Sequence, residues 1–135
     1  MKELTVAAEI KNLSTVTAFV DAELERAGCP KKKQFQIDVV IDEIFSNICL
    51  HAYAHESGSA TVQFEILEDE NTASITFVDS GKPFNPLTTE DPDVSLALSD
   101  RRIGGLGIFM VKKTMDSVQY EFLHGQNRLN IRKKL

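Results

Sequence analysis

Three polar side chains recur every four residues in the stretch IDEIFSNICLHAY, namely Glu43, Asn47 and His51. In an α-helix this spacing places them on one stripe beside the apolar face. A carboxylate can take a proton from an attacking group, and a carboxamide oxygen is a hard ligand that suits Mg²⁺. For Glu43 and Asn47 taken alone, an ordinary solvated helix face is the better interpretation, and a base next to a metal ligand is the functional alternative. For His51 a partly buried structural histidine is the better interpretation.

A further carboxylate ends an alternating apolar stretch, because Ala73, Ile75 and Phe77 are followed in the same period by Asp79. The period predicts a strand whose buried face ends in a carboxylate, which is costly unless the group is paired. Asp79 could accept a hydrogen bond from the exocyclic amine of a purine, with Gly81 giving the ring close access. The alternative is a simple turn, since Asp-Ser-Gly is common turn chemistry.

Three glycines crowd the stretch RRIGGLGIFMVKK directly before an apolar run: Gly104, Gly105 and Gly107. A glycine-rich turn that leads into a helix presents free N–H groups and the positive end of the helix dipole, which suits a phosphate. The spacing matches neither a Walker A loop nor a Rossmann turn. In chain order, the base, the purine-reading carboxylate and this turn together indicate a nucleotide site without a P-loop.

The elements that must position these residues follow from periodicity and turn residues. Their order is β, α, α, β, β, loop, α, β, β, which lacks the regular βαβ alternation of a doubly wound fold. It predicts an α+β, two-layer sandwich with a mixed, mostly antiparallel sheet and about three helices on one face. The predicted elements are a strand over 4–10, a helix capped by Asn12 or Ser14 and stopped by Gly28, a helix opened by Pro30, strands over 60–66 and 73–79, a loop over 81–103, a helix over 105–115, and strands around 118–122 and 129–131.

The composition narrows the class of protein. The 135 residues, 42% of them hydrophobic, suit a single domain over 1–135. A formal net charge of −5 argues against a nucleic-acid-binding surface, and the basic run Lys31–Lys33 is read as a solvated helix start. The sequence has no apolar stretch long enough to predict a membrane span, and it has no pattern typical of a signal peptide. Cys29 and Cys49 lack metal-binding spacing, so reduced thiols and a cytoplasmic location are expected.

Three segments resemble sequence boxes of one known superfamily. The segments DEIFSN, VDSGKPFNP and GGLGIFMVKKTMD resemble the N, G1 and G2 boxes of the gyrase, histidine kinase, chaperone and mismatch-repair ATPases, which share the Bergerat fold. The HAY after the first box and the ending GQNRLNIRKKL are most similar to the small stand-alone anti-sigma factor serine kinases. The resemblance covers nearly the whole chain, with the boxes in the correct order.

This resemblance implies roles for individual residues. Glu43 matches the catalytic glutamate, Asn47 the Mg²⁺-binding asparagine, and Asp79 the adenine-reading aspartate with Gly81 beside it. The lid over ATP corresponds to residues 82–103. Arg101 or Arg102 at its end could stabilise the transferring phosphoryl group, and Arg102 is the one assigned. The remaining positions assigned to nucleotide contact are Phe84, Gly104, Gly105, Leu106 and Gly107, of which Gly105 and Gly107 match the glycines that hold the phosphates.

The resemblance also implies a function. Such kinases use ATP and Mg²⁺ to phosphorylate a serine on a STAS-type anti-anti-sigma partner, and they sequester a sigma factor. No direct contact with nucleic acid or membrane is expected, and a homodimer is a further possibility. The alternatives are a nucleotide-gated binding protein without kinase activity and the catalytic module of a histidine kinase. One departure is Pro83, which replaces the second glycine of the G1 box and should stiffen that turn.

Overall fold

The computed structural model describes residues 1–53, 56–88 and 105–135, with side chains described from residue 107 in the last range. Within these ranges the predicted order of elements is confirmed, and a π-helical turn over Ile48–Ala52 follows the second helix directly. The strands are β1 (Lys2–Ala7), β2 (Ser59–Leu67), β3 (Thr72–Asp79), β4 (Ser117–Leu123) and β5 (Gln126–Lys134). The helices are α1 (Leu13–Arg26), α2 (Lys31–Asn47) and α3 (Gly105–Thr114).

The five strands form one sheet in the order β1-β2-β3-β5-β4, and every pairing among them is antiparallel. One face of the sheet carries the apolar rows, with Ile75 of the central strand β3 opposite Phe64 and Ile131. The same row of β3 ends at Asp79, which lies opposite Asn127 of β5. The architecture is the predicted α+β sandwich. At one end of the sheet, where β3 ends and β5 begins, two polar residues lie opposite each other.

The helices contribute apolar stripes to the core. Residues three or four apart share a helix face, so the α1 row of Val16, Val20 and Leu24 is fully buried. The α2 row is also buried, with the members Ile37, Val40, Ile41 and Ile44, and Ile48 of the π-helical turn continues it. Full burial of one such side chain stabilises the fold by roughly 1.5–3 kcal/mol. This packing presses α2 against the sheet and fixes the polar residues on its flank.

The N-terminal region differs from the prediction in two details. β1 ends at Ala7, and Ile10 lies in a short 3-10 turn with half of its surface exposed. Asn12 holds the N-cap position of α1 but makes no side-chain cap bond. Its Nδ2 instead donates to the carbonyl of Ala7 at 2.9 Å. The chain must turn from the sheet into α1 here, and Asn12 stabilises that turn rather than the helix end.

Other expectations from the sequence are confirmed. α1 ends before Gly28, whose φ of +76° suits glycine, and Pro30 precedes α2, which begins with Lys31–Lys33. Both cysteines are free thiols. Burial raises the pKa of Cys49 to about 11, so this thiol stays protonated at neutral pH.

A carboxyl pair between α1 and α2 predicts that stability depends on pH. Burial, a hydrogen bond shared with Asp21 and the charges of Asp21 and Glu25 raise the pKa of Asp38 from 3.8 to about 7. The folded state therefore binds more protons between these values, and the free energy of unfolding falls as pH rises from about 4 to about 7. Asp38→Asn should raise that free energy by about 1–2 kcal/mol at pH 8, a figure discounted for solvent screening, with little effect at pH 4.

Urea denaturation at pH 4 and pH 8 measures this difference. Asp69→Asn, in the β2–β3 turn, removes the same charge from the surface, and any pH dependence that it shows is subtracted. An equal effect of Asp38→Asn at both pH values would contradict the prediction.

Candidate functional site

A cleft opens between the end of α2, the sheet and the start of the segment after β3. Its walls are mainly apolar, with a few polar groups, which is typical of small-molecule sites. The predicted residues Asn47, Asp79 and Phe84 all line it. Residues that sequence reasoning did not assign to the site also line it, among them His51, Lys82, Tyr120 and Asn127.

Asp79 is buried at the end of β3, with only 7% of its surface exposed. Its Oδ1 accepts hydrogen bonds from the backbone N–H of Gly81 and from Nδ2 of Asn127, each at 2.9 Å. The bond from Gly81 is the turn geometry that Asp-Ser-Gly favours, and the bond from Asn127 is the pairing that a buried carboxylate needs. Among the described residues both bonds use Oδ1, which leaves Oδ2 as the acceptor for a ligand in the cleft.

Asn127 links the floor of the cleft to the turn after β3. Besides Asp79, its Nδ2 donates to the carbonyl of Lys82 at 2.9 Å, and its Oδ1 accepts from the N–H of Phe84 at 3.1 Å. The hydroxyl of Tyr120 donates to the same oxygen. The sequence contained a pattern that could have identified Asn127. It begins the inward-facing row of β5 that continues with Leu129 and Ile131, just as Asp79 ends the inward-facing row of β3.

Asn127→Ala should weaken nucleotide binding by about 10-fold or more, because Asp79 and the turn each lose a donor in a buried network. Isothermal titration calorimetry with an adenine nucleotide measures the effect. Asn130→Ala is the matched control, because Asn130 lies on the same strand but bonds to Ser74 and Thr76 on the opposite face. Equal losses for the two variants would show that Asn127 has no special role in the site.

The HAY segment holds the turn after β3 from the other side. The N–H of Lys82 donates to the carbonyl of Ala52 at 2.9 Å, and a Cβ on Gly81 would lie 2.1 Å from that carbonyl oxygen. Tyr53 donates its hydroxyl to the carbonyl of Ser59 at 2.6 Å and accepts from the N–H of Ser80 at 2.8 Å. Glycine at 81 is therefore required for close approach of two backbone segments.

The interpretation of His51 is corrected. The helix changes from α to π geometry at Ile48, so the regular four-residue stripe stops after Asn47. His51 is exposed and lines the cleft, and it is not a partly buried structural residue. π-Helical turns are frequent at functional sites, and this one directs the chain from Asn47 toward the turn that carries Gly81.

Glu43 and Asn47 lie one turn apart on α2, as the spacing predicts. Nδ2 of Asn47 donates to Oε1 of Glu43 at 3.3 Å. Burial and the neighbouring charge of Asp42 raise the pKa of Glu43, while the bond from Asn47 acts in the opposite direction. Asn47 faces the cleft, whereas Glu43 lines a groove between α2 and α3, together with Val39, Met110 and others.

The glycine-rich segment is described from Gly105, where α3 begins as predicted. Gly107 lies against the carboxyl group of Glu43 in the groove between α2 and α3. Leu106 belongs to the first turn of α3. Arg101, Arg102, Gly104 and residues 89–103 of the expected lid lie outside the described residues.

The donor set around Asn47 fits a magnesium ion that is bound mainly through its nucleotide. Because Asn47 gives its Nδ2 to Glu43, its Oδ1 is the group available in the cleft, and carboxamide oxygens suit Mg²⁺. Across the described ranges no three His, Cys, Asp or Glu side chains gather into a metal-binding set. Mg²⁺ usually takes one or two protein ligands beside phosphates and water, and Asn47 is the ligand offered here.

Comparisons with known proteins agree with this geometry. The family of histidine kinase-like ATPase domains matches residues 6–133. The chain belongs to this family. It is 29% identical over 122 residues to the serine-protein kinase RsbW of Staphylococcus aureus strains RF122 and MSSA476, which covers 86% of this chain and 76% of each relative.

Among solved structures, this ATPase-family chain resembles the histidine kinase domain of the blue-light activated histidine kinase EL346 from Erythrobacter litoralis, with a TM-score of 0.60. The identity is 14%. The match covers 91% of this chain and 59% of the chain in the solved structure, which is less than two thirds of its length. The likeness therefore establishes the fold alone. In the described parts of the chain, no helix is long and apolar enough to cross a membrane.

Proposed function

We propose that this chain is an ATP-dependent serine kinase that phosphorylates a STAS-type anti-anti-sigma protein and sequesters a sigma factor. The observation that carries the proposal is the arrangement along α2, where Asn47 faces the cleft that holds Asp79 and donates to Glu43 one turn away. A nucleotide read by Asp79 would extend its phosphates toward Asn47 and the start of α3.

Each end of the nucleotide has candidate partners. Oδ2 of Asp79 would accept from the exocyclic amine of adenine, and Phe84 would contact the ring. The first turn of α3 would hold phosphate oxygens through the N–H groups of Gly105, Leu106 and Gly107, because helix N-termini attract anions. Gly104 and Arg102 complete the proposed set, with Arg102 stabilising the transferring phosphoryl group.

Transfer needs a base beside the attacking hydroxyl. In the proposed reaction a serine oxygen of the partner attacks the γ-phosphorus, the bond to ADP breaks, and the serine proton passes to Glu43. A raised pKa makes Glu43 a better proton acceptor near neutral pH. Mg²⁺, held by Asn47, would supply charge neutralisation at the phosphates, and the protein contributes positioning.

The choice of serine and of partner rests on similarity. The relatives from Staphylococcus aureus are serine-protein kinases by name, which supports a serine acceptor. The STAS-type partner and the sigma factor follow from the resemblance of the three boxes to the anti-sigma factor kinases. A cytoplasmic location and a homodimer belong to the same proposal.

A nucleotide-gated binding protein is the second candidate, and one observation favours it. The carboxyl of Glu43 lies in the groove between α2 and α3, while Asn47 and Asp79 share the cleft. If Glu43 keeps this place when nucleotide is bound, the chain would bind its partner without transferring phosphate.

The deciding experiment is label transfer from γ-labelled ATP to a purified STAS-type protein from the same organism, with phosphoserine located by mass spectrometry. The full chain, with Mg-ATP or Mg-ADP, is also used to capture partners from the lysate. A sigma factor held with ATP and a labelled STAS-type protein are expected. Nucleotide binding without transfer to any captured partner would favour the second candidate.

A further inference from the structure

Gly107 of α3 lies directly against the carboxyl group of Glu43. A Cβ built on Gly107 would lie 2.0 Å from Cδ, 2.2 Å from Oε1 and 2.3 Å from Oε2 of Glu43. Every one of these separations is far inside van der Waals contact between heavy atoms, which begins near 3.5 Å. The carboxyl therefore occupies the space that any other residue at position 107 would fill.

The same carboxyl also accepts a hydrogen bond from Asn47, whose Nδ2 donates to Oε1 at 3.3 Å. Glu43 is thus confined between a hydrogen bond from its own helix and the bare backbone of the next one. Its stem is anchored where α2 packs on the core, next to the fully buried Ile44 and Val40. Two contacts of different kinds define where the carboxyl lies.

Glycine at 107 and glycine at 81 have different consequences for the fold. A Cβ at 81 would meet the backbone carbonyl of Ala52, so the main chain would have to move. The three heavy atoms nearest to a Cβ at 107 all belong to the far end of a flexible side chain, which can rotate away. Alanine at 107 should therefore leave the fold intact and displace the carboxyl of Glu43.

We infer that Gly107 is a positioning residue for Glu43, and that it is glycine to admit that carboxyl between α2 and α3. The inference rests on the proposed role of Glu43 as the base. It assigns Gly107 a task beside the proposed phosphate contact, and the two can be separated because alanine keeps the backbone N–H that a phosphate would contact. Nucleotide binding and phosphoryl transfer should therefore respond differently to a substitution at this position.

The first test compares the full chain with Gly107→Ala, Glu43→Ala and the double variant. Gly107→Ala should leave the Kd for Mg-ATP within about 3-fold and lower the transfer rate at saturating ATP by about 10- to 100-fold, because small misplacement of a catalytic group is costly. The double variant should be no slower than Glu43→Ala. Thr114→Ala, in the last turn of α3, is the control and should keep both values.

Two results would overturn the inference. A large loss of Mg-ATP binding in Gly107→Ala would show that the glycine is needed for nucleotide binding and not for the position of Glu43. Losses of transfer that multiply in the double variant would show that Gly107 acts independently of Glu43.

A second test does not need kinase activity. Alanine is a better helix former than glycine, so Gly107→Ala should raise the thermal midpoint more in a Glu43→Ala background than in the parent chain, where the methyl group meets the carboxyl. Equal shifts in the two backgrounds would overturn the inference. Absence of transfer in the parent chain would instead refute the proposed function, and the midpoints would still decide whether the contact exists.

Discussion

Asp79→Asn should weaken binding of ATP by about 10- to 100-fold, since a hydrogen bond to a charged acceptor is worth roughly 1.5–3 kcal/mol. The substitution replaces the carboxylate in the cleft with an amide. In one orientation the new NH₂ group points toward the adenine amine. In the other it points toward Nδ2 of Asn127, which already donates to this side chain. Both orientations place two donors face to face. Calorimetric titration with ATP, and with GTP for comparison, measures the loss.

The control for this variant is Asp69→Asn, which makes the same chemical change in the β2–β3 turn. It should bind ATP like the parent chain. A thermal midpoint measured for Asp79→Asn separates loss of binding from loss of fold. Unchanged ATP affinity in a folded Asp79→Asn would remove this residue from the site and with it the proposed orientation of the nucleotide.

Glu43→Gln should keep ATP binding and lower phosphoryl transfer by about 10²- to 10⁴-fold, the usual contribution of a general base. The amide preserves the size of the side chain but cannot take the serine proton. Glu65→Gln, at an exposed position of β2, makes the same chemical change away from the site and is the matched control, and its transfer rate should stay within about 3-fold of the parent. Single-turnover transfer to the STAS-type partner is the appropriate measurement.

The pH dependence of transfer provides a second readout of Glu43. The base must be ionised to accept a proton. The transfer rate should therefore rise with pH as the carboxyl group of Glu43 is deprotonated. Because burial raises the pKa above 4.5, this rise should lie closer to neutral pH than for an exposed glutamate. The rise should vanish in Glu43→Gln. A normal transfer rate in that variant would place the base elsewhere.

Local pattern in the sequence predicted the elements and several of the positions that matter. Alternation identified β3 and its terminal Asp79, and the four-residue spacing identified Glu43 and Asn47 on α2. Such patterns are reliable because side-chain direction along a strand or helix depends only on the local backbone. The same reasoning could have selected Asn127, which begins the inward row of β5, but nothing in its own segment indicates a partner.

The tertiary structure decided which residues meet. The pairing of Asn127 with Asp79 depends on the register of β3 and β5, which are separated by 46 residues from the end of one strand to the start of the next. The exposure of His51 accompanies a change from α to π geometry at Ile48, which the four-residue spacing did not predict. Strand register in particular depends on packing between distant segments, which periodicity does not encode.

The glycines illustrate the division most clearly. The sequence by itself determined that Gly81 and Gly107 stand where a nucleotide site of this family is expected, and it favoured close approach of a ligand as the reason. The tertiary structure places a backbone carbonyl of Ala52 against one and the carboxyl of Glu43 against the other. A glycine reports only that a Cβ would be in the way. What stands in that space is set by elements distant in sequence, and only their packing reveals it.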